Sequence, residues 1–107
     1  MKDIEGIFEN INNANDKYSV CKIGDTHTQS EILRTLSTSL HDLSPHRVDF
    51  HEKWLSVYFN SKATSVSAKE KEADFKVPEL YKIRHFTQSA SKVLDSLRTS
   101  ISANKNG

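Results

Sequence analysis

Five histidines and a single cysteine are the side chains of this 107-residue chain best suited to metal binding or nucleophilic chemistry. His41, His46 and His51 recur every five residues, but Ser44-Pro45 falls between the first two. A helical zinc site wants histidines at i and i+4 with a third ligand nearby, because that spacing sets both imidazoles over one face. His51-Glu52 has Leu55 where the second histidine would stand. His27 falls in a loop-like stretch and His85 on the outer face of the last helical pattern. Around Cys21 there is no signature of an activated nucleophile and no turn that would supply an oxyanion hole. The chain has no glycine-rich phosphate loop and no G-x-S-x-G turn. Glu70 and Asp74 are i, i+4 carboxylates on a charged stretch, where a solvated helix face is the expected state. These features predict a non-enzymatic protein with no catalytic residue, no metal and no cofactor.

A row of cations is more informative. In "ELYKIRHFTQSASKVLDSLRTSI", Leu80, Ile83, Thr87, Ala90, Leu94, Leu97 and Ile101 recur at alternating spacings of 3 and 4. That is a heptad seam. With Leu80 at position a, the e positions are Arg84, Ser91, Arg98 and Lys105, and His85 and Lys92 occupy f positions. Cations two turns apart with a serine between them can track a phosphate backbone, the cations by charge and the hydroxyls by hydrogen bonding. Lys62, Lys69, Lys71 and Lys76 extend the positive surface, and Trp54, Tyr58 or Tyr81 would stack on unpaired bases where exposed. The competing reading is ordinary helix pairing, with Asp42, Asp49 and Glu52 as partners of the e-position cations and the aromatic stripe as core.

The elements that position these groups follow from the periodicity. Ile4, Ile7, Ile11, Ala14 and Tyr18 predict an amphipathic helix over 1–18, although Gly6 and four asparagines weaken it. The sequence leaves open whether residues 1–25 are fully ordered. "VCKIGDTHT" reads as a loop, and Thr28 with Glu31 reads as a capping box. Leu33, Leu36, Leu40 and Leu43 then give a helix over 29–43. Ser44 is a good N-cap and Pro45 suits a first helical position, so a separate helix is expected over 45–63. Its wide apolar face, Phe50, Trp54, Leu55, Val57, Tyr58 and Phe59, predicts burial between more than one neighbour. Ser67 with Glu70 reads as a second capping box. Pro78 either kinks the following helix or starts a new one that runs to about Ala103, with 104–107 a frayed tail.

No apolar pattern alternates as a strand would. The expected fold is therefore all-α: a single domain over 1–107, an antiparallel helical hairpin or small bundle with a long C-terminal heptad helix. The seam residues Leu80, Ile83, Ala90, Leu94, Leu97 and Ile101 pack either on the 45–63 helix or on a second copy, which makes a homo-oligomer the expected state. A thin core in so short a chain argues the same way. One cysteine excludes an intramolecular disulfide and a cysteine-rich metal site. With no signal-peptide pattern and no run long enough to span a bilayer, a cytoplasmic protein without membrane contact is expected. The net charge is +1, unevenly divided: residues 1–52 hold 5 basic and 9 acidic side chains, and 53–107 hold 10 and 5. Such asymmetry marks an anion-binding second half, or two halves that attract each other.

The stretches "HEKWLSVYFNSK", "SVSAKEKEADFKVPELYKIR" and "SASKVLDSLRTSIS" form an aromatic-rich helix, a capping turn, a Lys/Glu-rich segment and a long terminal helix. This layout, covering about half the chain, resembles the recombination mediators of T4-type phages. Those are all-helical, oligomeric, single-stranded-DNA-binding proteins that help load a recombinase onto coated strands. The present chain is shorter, and its acidic first half has no counterpart in the pattern. The resemblance implies strand binding by Lys69, Lys71, Lys76, Arg84, Lys92 and Arg98, self-assembly through the terminal heptads, and, for a phage-encoded protein, the bacterial host cytoplasm. The function expected is thus a small phage-type accessory protein that self-associates and binds single-stranded nucleic acid in recombination or replication. The alternative is a protein–protein adaptor or inhibitor of a host or defence complex, working through the acidic half and the exposed part of the 50–59 stripe.

Overall fold

A computed structural model describes residues 3–22 and 24–106, with side chains described to Ser102. Its four helices are α1 (Ile4–Val20), α2 (Thr26–Asn60), α3 (Val66–Lys76) and α4 (Pro78–Asn106), and no strand occurs among the described residues. The all-α expectation therefore holds. The molecule is elongated, 59 × 27 × 19 Å. The long dimension follows from α2, whose 35 residues at 1.5 Å rise span about 52 Å.

The helix ends are set by local chemistry, at positions that differ from the predicted ones. Gly24 adopts φ +90 in the turn between α1 and α2, a conformation that side chains with a Cβ rarely take. α2 is capped by Asp25, not by Thr28. The Asp25 carboxylate accepts the Thr28 backbone N–H (3.2 Å) and the Thr28 hydroxyl (2.7 Å). Glu31, expected to close a box with Thr28, instead meets His27 at 3.3 Å. α3 is capped by Ser65, not Ser67, through a 3.1 Å bond from the Ala68 N–H. In both cases the helix starts earlier than predicted, and a polar residue two or three positions upstream of the predicted cap supplies it.

The largest departure from the sequence reading is at Pro45. The expected break at Ser44-Pro45 does not occur, and α2 runs straight through it. Pro45 is solvent-exposed, so the bond it removes lies on the wet side of the helix. The opposite face, with Ile32, Leu36 and Leu43, is fully committed to packing, and that packing outweighs the local preference. At Pro78 the chain does break. Val77 caps α3 with non-helical dihedrals, and Pro78 takes the first position of α4, where its missing N–H is no loss.

The heptad seam packs on α1 and α2 of the same chain. Leu80, Ile83, Ala90, Leu94 and Leu97 are 0–4% exposed, and Ile101 is half-buried. Ile83, Ala90, Leu94 and Leu97 join Ile7, Phe8, Ile11, Ala14, Ile32, Leu36 and Leu43 in one interior cluster. Ala90 at the seam's centre lets α4 approach closely, and beside it Phe8 and Phe86 stack with centroids 4.3 Å apart. Two side-chain bonds reach α4 from its neighbours: Asn15 Nδ2 donates to Ser89 Oγ (2.8 Å), and Gln29 Nε2 makes a longer bond to Ser100 Oγ (3.4 Å).

Toward its C-terminal end, α2 is covered mainly by α3. The Trp54 indole N–H donates to Asp74 (2.8 Å), the Ser61 hydroxyl donates to Glu72, and Lys69 lies over the Tyr58 ring at 5.8 Å. Phe59, predicted to share the buried stripe, is 74% exposed, and Phe75 on α3 is 85% exposed. α3 itself buries only Ala73, but Phe50 at the start of the stripe packs on the core shared with α1 and α4, so the stripe meets more than one neighbour as its width predicted and only its end is left open.

Candidate nucleic-acid interface

Burying positions a and d of α4 leaves e, b and f on the outside. On that outer side Tyr81, Arg84, His85, Gln88, Lys92 and Arg98 are all exposed, spread over the adjacent b, e and f positions. Tyr81, at 74% exposure, presents an open ring beside the first of the cations. Asp95 is the one acid among these outward positions. No ion pair joins Arg84, Lys92 or Arg98 to a carboxylate among the described residues. The pairing of Arg84 and Arg98 with Asp42, Asp49 or Glu52 that the heptad reading allowed is therefore not formed. Lys105, the next e position, lies outside the described side chains.

The three lysines of α3 stand differently. Lys76 is bound to Glu72 at 3.2 Å, which offsets its charge. Lys69 is half-buried against Tyr58. Lys71 is exposed. Of the six predicted contact residues, the fold thus lines up Arg84, Lys92 and Arg98 on one helix and leaves Lys71 open on another. Trp54 and Tyr58 stack on each other at 5.4 Å within the α2–α3 contact, so of the aromatic candidates Tyr81 is the accessible one.

The packing of α4 on α2 brings together residues that lie far apart in the sequence. Arg47 and His51, one turn apart on α2, face Arg84 and Leu80 of α4 across a groove of about 430 Å³ that Val48 and Glu52 complete. The one-turn spacing of Arg47 and His51 is already present in the helix predicted over 45–63. Their meeting with Arg84 required the helix pairing itself. The His51 ring stacks in turn on Trp54 at 6.2 Å.

Two carboxylates are held below their ordinary range. Asp25 is lowered by the Thr28 hydroxyl and then the Thr28 backbone N–H, and Glu72 by the Ser61 hydroxyl and then Lys76. Both are structural: one caps α2, the other ties α3 to the end of α2. Among the described residues no three His, Cys, Asp or Glu side chains converge as a metal site would require, and no helix is long and apolar enough to cross a membrane. No protein-family model, curated protein or solved structure matches the chain.

Proposed function

We propose that this protein is a non-enzymatic module that binds single-stranded nucleic acid along the outer face of α4, without regard to base sequence, as an accessory to recombination or replication. The observation that carries the reading is the unpaired cation row Arg84, Lys92 and Arg98 beside the open ring of Tyr81. Cations follow the phosphates, and an exposed ring supplies a sequence-tolerant stacking surface. The resemblance of the sequence pattern over about half the chain to the T4-type mediators is in keeping with this reading. Self-association is part of this reading. With the seam buried within the chain, it would use the exposed apolar residues Phe59, Val66 and Phe75.

Titrating a labelled single-stranded oligonucleotide at several salt concentrations tests the proposal. Three phosphate contacts predict a slope of log affinity against log salt of about −2. The double variant R84E/R98E should abolish binding and leave helicity unchanged. A salt-independent affinity, or a charge-reversed variant that binds as well as the parent, would overturn it. The same exposed phenylalanines favour a second reading, an adaptor that docks on a protein partner. In that case F59E/F75E would abolish activity and R84E/R98E would not.

A further inference from the structure

We propose that the groove between α2 and α4 lined by Arg47, Val48, His51, Glu52, Leu80 and Arg84 is a seat for one nucleotide unit, phosphate and ring together. The inference deepens the strand-binding reading and rests on it for its biological setting, but the site is defined by its own residues. Two guanidiniums from different helices share the groove with a single carboxylate, Glu52, and neither is ion-paired among the described residues. Like charges brought together by folding, without full compensation, attract an anion. The planar fork of arginine matches a phosphate with paired hydrogen bonds.

The rest of the groove is not built for a bare anion. Leu80, 3% exposed, forms an apolar floor, and Val48 a half-open wall. His51 adds a flat ring whose other neighbour is Trp54. A purine or pyrimidine ring fits such a surface, and Glu52 can accept from an exocyclic amine. The volume of about 430 Å³ falls within the range of small-ligand sites. Arg84 borders both this groove and the outer face of α4, so a nucleotide seated here continues into a strand lying along Arg84, Lys92 and Arg98.

The test is an amide chemical-shift titration of the full chain with deoxyadenosine monophosphate, inorganic phosphate and deoxyadenosine in parallel. The nucleotide should shift residues of the 47–52 and 80–84 segments and bind at least about tenfold more tightly than either fragment, since each loses a charge-assisted or an apolar contribution. R47A should weaken the nucleotide about tenfold, and alanine keeps the helix intact. V48E, on an exposed wall, should do the same by repulsion. R98E lies outside the groove and should weaken oligonucleotide binding while leaving the mononucleotide unaffected. Inorganic phosphate binding as tightly as the nucleotide would overturn the ring seat, and equal binding of deoxyadenosine would overturn the phosphate seat. An oligonucleotide that binds while the mononucleotide leaves the groove unshifted would overturn this inference alone. A mononucleotide that binds while the oligonucleotide does not would support the seat and overturn the strand-binding reading.

Discussion

Pro45 offers a direct test of the architecture, because the two ways of building α2 predict opposite signs for its replacement. Within a continuous helix, its ring crowds the carbonyl of His41 and leaves that carbonyl without its N–H donor. A proline in a helix interior costs about 3 kcal/mol relative to alanine. Alanine at position 45 regains the bond and relieves the clash, and its exposed site demands no repacking. The unfolded chain also regains freedom, which offsets roughly 0.4–1 kcal/mol. The net expectation is a gain of about 2 kcal/mol, or a melting temperature higher by about 4–8 °C per kcal/mol, read by far-ultraviolet circular dichroism during thermal unfolding. Were Ser44-Pro45 the start of a separate helix, Pro45 would stand where its missing N–H is harmless, and alanine would be neutral or destabilising. A lower melting temperature for P45A would refute the continuous helix.

Leu97 is fully buried in the core that α4 shares with α1 and α2, so L97A should cost about 2–5 kcal/mol in urea unfolding. A loss below about 1 kcal/mol would show that the seam is not packed as described. Gln29 is buried with Oε1 unpaired and its amide nitrogen in only a long 3.4 Å bond. Q29L should therefore leave stability within about 1 kcal/mol or raise it, and a larger loss would show that the amide is satisfied. Asp25 and Glu72 have folded values below their unfolded ones. Their contribution is present above the ordinary carboxylate value near 4 and is lost as pH falls below it through the folded values. Acid titration of the parent should show this loss, and the D25N/E72Q double variant should flatten it. An unchanged acid transition would remove these two groups as its cause.

The sequence determined the class of this fold because heptad and i, i+3/i+4 spacing are properties of single helices. Ile7, Ile11 and Ala14 in α1, Leu36 and Leu43 in α2, and Leu80 through Leu97 in α4 became core as their spacing required. Pro78 stopped a helix because its effect is local: the constraint on Val77 and the absent N–H act within one turn. Caps were legible in kind but not in place, since several polar residues near each helix start could serve and the point where the backbone turns helical selects Asp25 and Ser65. The tertiary structure alone decided whether Pro45 breaks a helix, because the answer weighs a local cost against packing along the whole length of α2. The offset of Lys76 by Glu72 at 3.2 Å is an i, i+4 pair within α3 and so was open to the sequence, whereas only the packing of α4 on α2 decided that Arg84 meets none of Asp42, Asp49 and Glu52 in an ion pair among the described residues. The meeting of Arg47, His51 and Arg84 in one groove lies furthest from the sequence. It depends on two helices far apart in the chain coming to rest in one register.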